Sequence, residues 1–174
     1  DLDEHKIERL RGDGAMINLW GVGTNLVTAA DQPALGGVYK LAAIQDDHGD
    51  WTDRIKRSDD PEKASIPGIQ QVRRFERDGK WSRDVIFDPR VGLPDSESVS
   101  GDEVVSVDEL LQPMMKHGRL TADLPSLQEI REHAIRERKR LPPEVRRLSC
   151  STTETVQLAE HLRQRRIAMM ENAV

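Results

Sequence analysis

The chain has 174 residues, enough for one ordinary domain or parts of two, and no apolar run is long enough to cross a membrane as a helix. Leu, Ile, Val and Phe total 41 residues, about 24%, a little above the roughly 20% below which chains tend to stay disordered, while 3% aromatic and 33% charged residues leave a thin core. The formal charge of −5 hides an asymmetry, because residues 1–60 carry 7 basic and 12 acidic groups and residues 128–166 carry 10 basic and 6 acidic ones.

A single cysteine, Cys150, excludes an internal disulfide and a Cys-based metal site, which fits a reducing, cytoplasmic setting. The opening Asp1-Leu2-Asp3-Glu4-His5 is acidic where a signal peptide would be basic and then apolar, and no initiator Met is present. The chain therefore reads as a fragment of a longer intracellular protein.

In chain order, Ile7 and Leu10 among Glu4, Lys6, Glu8, Arg9 and Arg11 give one apolar stripe of a short helix over 3–11, which Gly12 and Gly14 stop. Ala15–Trp20 is a brief apolar run entering the Gly21-Val22-Gly23-Thr24 turn and reads as a buried strand ending in a loop. Asn25–Ala30 has the composition to begin a helix, Gln32-Pro33 interrupts it, and residues 35–44 favour a strand through Val38, Tyr39, Leu41 and Ile44. Helix, strand and glycine loop in succession are an α/β signature.

Residues 45–68, rich in Asp, Pro and Gly, mark a loop-bearing boundary. Val72–Phe75 and Trp81–Phe87 flank the turn dipeptide Asp78-Gly79, so residues 70–88 read as a β-hairpin. Residues 89–101 read as loop, and 103–107 as a strand or as the lead into a helix at 108–116. Ser126 with Glu129 forms a capping box opening a helix to about Lys139, which Pro142-Pro143 ends, and Ser151 with Glu154 opens another to about Met170.

Among features able to carry chemistry, the Gly21–Thr24 turn stands out. Glycines after a strand let backbone N–H groups converge on phosphate oxygens without Cβ obstruction, and the Thr24 hydroxyl adds a donor. A tight βα connection would use the same residues. Neither standard phosphate motif is present: Leu26 stands where the dinucleotide fingerprint needs its third glycine, and the P-loop Lys-Ser or Lys-Thr pair is missing.

Asp3 and Glu4 suit the positive end of a helix dipole. Asp1 has two readings, a further carboxylate of that kind or an acceptor for ribose hydroxyls or a hydrated metal at the end of a barrel strand. His5, His48, His117, His133 and His161 show no metal-ligand spacing, and Cys150 has no His or Asp neighbour in sequence to activate it. The basic run Arg136, Arg138, Lys139, Arg140, Arg146 and Arg147 is interleaved with Glu137 and Glu144, and no aromatic residue lies between 128 and 166. It reads as a solvated or intersubunit face and not as a nucleic-acid surface.

The string G-V-G-T-N-L-V-T-A-A-D-Q-P-A-L-G-G over residues 21–37, continuing into Val38-Tyr39-Lys40-Leu41, resembles the nicotinate phosphoribosyltransferase family. Asp1-Leu2-Asp3-Glu4, Asp60-Pro61-Glu62-Lys63, Pro67-Gly68 and Pro125-Ser126-Leu127 extend the resemblance over essentially the whole chain, with residues 89–124 the weakest part.

The resemblance implies an α/β plus α+β fold: the C-terminal end of a type II phosphoribosyltransferase α/β barrel over 1–44, then a C-terminal domain of hairpin and helices over 45–174. It implies an intact enzyme that forms nicotinate mononucleotide and pyrophosphate from nicotinate and phosphoribosyl pyrophosphate, in NAD salvage. ATP hydrolysis would be coupled through a phosphohistidine, Mg²⁺ would be the metal, and the intact enzyme would be a homodimer. Gly21, Gly23 and Thr24 match the loop holding the 5-phosphate, and Asp1 matches the acidic residue contacting the ribose hydroxyls. The family's phosphohistidine and base-binding residues fall upstream of Asp1, so no catalytic residue is carried over and the fragment alone is expected to be inactive. Two other readings remain open at this level, a non-catalytic assembly module and a nicotinamide-using phosphoribosyltransferase, whose phosphate loop has a longer glycine run.

Overall fold

The computed structural model describes residues 1–34, 36–60, 63–94, 103–149 and 156–171, with backbone only for 103–108. It divides into two compact units, Asp1–Tyr39 with Arg147–Ser149, and the remainder.

In the first unit, helix α1 spans Glu4–Gly12. Asp3 is its N-cap, the carboxylate accepting from the Lys6 amide at 2.8 Å, Glu4 lies in the first turn and Arg9 and Arg11 in the last, each placed to suit the helix dipole. Beyond the Asp13 C-cap, Gly14 takes a φ of +85°, a conformation open to glycine without a Cβ clash. Helix α2 is a five-residue turn, Thr24–Thr28, closed by Ala29 at a φ of +47°.

Two expected strands are corrected here. Ala15–Trp20 is irregular, with Met16 and Leu19 98% and 90% exposed. Of residues 35–44, only Ala43 and Ile44 enter a strand, Val38 and Tyr39 are exposed, and Leu35 lies outside the described residues. An apolar run becomes a buried strand only when a ladder partner satisfies its backbone and another layer covers its face. The described residues of this unit supply neither.

The second unit opens with a small hairpin, β1 (Ala43–Gln45) against β2 (Trp51–Asp53). Its turn is organised by Asp46, whose Oδ1 accepts from the amides of His48 at 2.9 Å and Asp50 at 2.8 Å. The main sheet has the order β5 (Glu103–Glu109), β3 (Gln71–Arg77), β4 (Lys80–Phe87), β8 (Val156–Leu158). Strands β3 (Gln71–Arg77) and β4 (Lys80–Phe87) form the expected hairpin, and Asp78 and Gly79 at φ of +51° and +68° make the primed turn whose twist matches the strands. Strand β5 (Glu103–Glu109) pairs antiparallel with β3, and β8 (Val156–Leu158) parallel with β4.

No helix forms at 108–116. Strand β5 runs to Glu109, and a two-residue hairpin follows, β6 (Met115–Lys116) and β7 (Arg119–Leu120), around His117 and Gly118 at φ of +50° and +75°. Helix α3 (Leu127–Arg140) carries the full Ser126–Glu129 capping box. Ser151 and Glu154 lie outside the described residues; Val156–Leu158 is strand, and helix α4 starts only at Glu160 and runs to Glu171.

The period-two pattern of the β3–β4 hairpin separates its faces. Phe75, Val85 and Phe87 form the apolar core with Ala159, and Leu93 packs against it. Arg73 lies over the Phe87 ring at 4.8 Å and Arg83 over the Phe75 ring at 4.1 Å, adding cation–π contact at the core margin. The opposite face carries Arg74 and Asp84, a directly facing pair. Helix α3 buries no residue and is held to this face by charge: Arg74 joins Asp84 through two 2.9 Å bonds and Glu137 through one of 3.1 Å, and Arg140 pairs with Glu76. Trp81 Nε1 donates to Asp84 at 2.9 Å, completing the cluster.

Candidate functional site

Asp1, Gly21, Gly23 and Thr24 all lie on the first unit and all are exposed. Gly23 is the N-cap of α2, its carbonyl accepting from the Leu26 and Val27 amides at 3.1 Å. A Cβ added at Gly21 or Gly23 would meet nothing within 4 Å, so no crowding inside this chain calls for glycine at either position. The backbone of the turn is instead open to approach from outside.

The glycine turn and the acidic opening are tied together. Asn25 Nδ2 donates to the Leu2 carbonyl at 3.0 Å, across 23 residues of sequence, and Lys6 Nζ donates to the Asp1 carbonyl at 2.7 Å. Beside this junction is a cavity of about 270 Å³ lined by Asp3, Glu4, His5, Asn25, Ala30 and Asp31. Asp1, Gly21, Gly23 and Thr24 do not line it. Its three carboxylates repel anions and accept hydrogen bonds, which suits hydroxyl donors and opposes phosphate. The Asp3 carboxylate is already engaged, holding the helix start: hydrogen bonds from the Lys6 amide and ammonium keep its pKa below the ordinary range.

Sequence reasoning did not single out Asn25, although it adjoins Thr24 in the glycine string. It also missed a buried cluster in the second unit. Asp88, wholly buried at the end of β4, accepts from Arg90 Nε and from Arg165 Nη1 at 2.9 Å each, and both arginines reach Asp53 on β2. The Asp88 amide donates to His161 Nε2 at 3.2 Å. Arg90 and Arg165 are spent on two carboxylates, so the cluster is a clasp joining β2, β4 and α4.

Among the described residues, no group of three or more His, Cys, Asp or Glu could hold a metal ion, and no helix is long and apolar enough to cross a membrane.

The family model of the nicotinate phosphoribosyltransferase C-terminal domain matches residues 95–166. Nicotinate phosphoribosyltransferase of Bacillus subtilis is 58% identical over 75 residues, covering 43% of this chain and 15% of that protein. The human enzyme of the same name is 34% identical over 174 aligned residues, covering 93% of this chain and 31% of its own length. The chain belongs to the nicotinate phosphoribosyltransferase family. It spans less than a third of the length of these two relatives. The crystal structure of human nicotinic acid phosphoribosyltransferase aligns with 60% of this chain and 23% of its own, at 25% identity and a TM-score of 0.49.

The match to the C-terminal domain model assigns residues 95–166 to the C-terminal region of this family.

Proposed function

We propose that this chain supplies the phosphoribosyl-anchoring part of a nicotinate phosphoribosyltransferase acting in NAD salvage. The observation that supports the proposal is the turn Gly21-Val22-Gly23-Thr24, open and without a Cβ at Gly21 and Gly23, and tied through Asn25 to the segment bearing Asp1. In this reading the amides around Gly21 and Gly23 and the Thr24 hydroxyl hold the 5-phosphate, and the Asp1 carboxylate accepts from the ribose hydroxyls.

The chemistry needs both anchors. Departure of pyrophosphate builds positive charge on the ribose ring while the nicotinate nitrogen approaches C1. Fixing the sugar at its phosphate and its hydroxyls brings C1 into line with the incoming nitrogen, and a carboxylate near the ring opposes the developing charge favourably. Mg²⁺ and ATP belong to the proposal as reagents of the intact enzyme. The described residues of this chain do not form a metal site, and no step is assigned to them through the metal.

Residues 1–44 are assigned to the last part of the α/β barrel and 45–174 to the C-terminal domain. The intact enzyme is read as a cytoplasmic homodimer. ATP coupling through a phosphohistidine, and base recognition, are assigned to segments other than this one, so this piece alone should not turn over nicotinate and phosphoribosyl pyrophosphate.

The test is Thr24→Ala in an intact nicotinate phosphoribosyltransferase carrying this segment. Removing one donor to a charged acceptor costs about 1.5–3 kcal/mol, roughly ten- to hundredfold in affinity. Unchanged affinity for phosphoribosyl pyrophosphate would contradict the assignment.

A further inference from the structure

We infer that Asn25 is a positioning residue that fixes the spacing between the phosphate anchor and the ribose anchor. This rests on the reading of Asp1, Gly21, Gly23 and Thr24 given above. The Leu2 carbonyl accepts from Asn25 Nδ2 at 3.0 Å and the neighbouring Asp1 carbonyl from Lys6 Nζ at 2.7 Å, so two successive peptide groups are gripped beside the Asp1 carboxylate.

The other end of the tie is equally constrained. The Asn25 carbonyl accepts from the Ala30 amide at 3.2 Å, and Thr28 Oγ1 donates to the Thr24 carbonyl at 2.7 Å. Helix α2 thereby closes around the residue that reaches across. Thr24 precedes Asn25 by one position and Asp1 precedes Leu2 by one, so the Asn25 carboxamide bond joins the segments carrying the two anchors. Two groups that bind opposite ends of one sugar phosphate act together only while their separation is held.

The side-chain chemistry is specific. Only a donor satisfies the Leu2 carbonyl. An aspartate would set an acceptor against it and add charge at the rim of a cavity that already holds Asp3, Glu4 and Asp31. A glutamine keeps the donor on a longer stem.

The experiment is steady-state kinetics of the intact enzyme with Asn25→Ala, Asn25→Asp, Asn25→Gln and, alongside, Thr24→Ala and Asp1→Asn. Loss of one neutral hydrogen bond predicts a rise of about three- to tenfold in KM for phosphoribosyl pyrophosphate in Asn25→Ala, with KM for nicotinate unchanged. Asn25→Asp should be at least as impaired and Asn25→Gln partly restored. A lowered Tm with both KM values unchanged would overturn the inference and leave Asn25 a purely structural contact. If Thr24→Ala raises that KM while Asn25→Ala does not, the positioning role fails and the site stands. If Thr24→Ala and Asp1→Asn are both silent, the site reading fails and takes this inference with it.

Discussion

Gly68 turns through a φ of +88° directly against the Asp88 carboxylate, so that a Cβ on Gly68 would lie 2.9 Å from Asp88 Oδ2. The same Cβ would also lie 2.9 Å from Arg90 Nη2. The Gly68 amide donates to the Ala42 carbonyl at 2.8 Å, so the turn cannot swing away without losing that bond. Gly68→Ala should destabilise the fold by about 2 kcal/mol or more, roughly 1–2 from the positive φ and the rest from displacing the ion pairs. Denaturant unfolding measures this, and a variant as stable as the parent would show that the clasp tolerates the methyl group.

Asp88 gives a pH dependence of definite sign. Burial pushes its carboxyl up, but hydrogen bonds from the Arg90 side chain and amide and from Arg165 outweigh it and hold the pKa below the ordinary aspartate range. A carboxyl held low in the folded state contributes stability that is complete above the unfolded value of about 3.9 and is lost as pH falls through the folded value. Asp88→Asn should therefore flatten the acid limb below about pH 4. At neutral pH it should cost about 3 kcal/mol, the low end for a broken buried pair, because Arg90 and Arg165 keep 28% and 30% exposure. An unaltered acid limb would exclude this role for Asp88.

Arg74 is a polar anchor of α3, a helix without a buried side chain. Its partner Asp84 is 7% exposed. Arg74→Ala would leave that carboxylate with the Trp81 Nε1 donor and cut the direct bond from β3 to Glu137, which keeps its in-helix partner Arg140, at a cost of about 3 kcal/mol. Hydrogen exchange should accelerate across 127–140 more than across the β3–β4 hairpin. Equal acceleration in both would mean that helix and sheet open together, and that Arg74 is not what docks the helix.

What was legible in the sequence was what short-range chemistry decides. Asp3 before a polar helix, the Ser126–Glu129 box and the Asp78-Gly79 turn each act within a few residues, and each appears where its residues indicate. Ala15–Trp20 and residues 35–44 failed because burial of an apolar run depends on neighbours the run does not encode. The β6–β7 hairpin was hidden by its size, two residues per strand, and its marker was the His117-Gly118 pair at positive φ. At the site, the glycine string pointed to Thr24, whereas the Asn25–Leu2 bond spans 23 residues and required the fold to be seen. Asp53, Asp88, Arg90 and Arg165 carry no spacing pattern, since the clasp joins positions up to 112 residues apart.

The most direct measurement is a crystal structure of the intact enzyme carrying this segment with nicotinate mononucleotide bound. The account predicts the product's 5-phosphate within hydrogen-bond distance of the Gly21–Thr24 amides and the Thr24 hydroxyl, with the ribose hydroxyls facing Asp1. A phosphate held by other residues, with the Gly21–Thr24 turn bare, would contradict it.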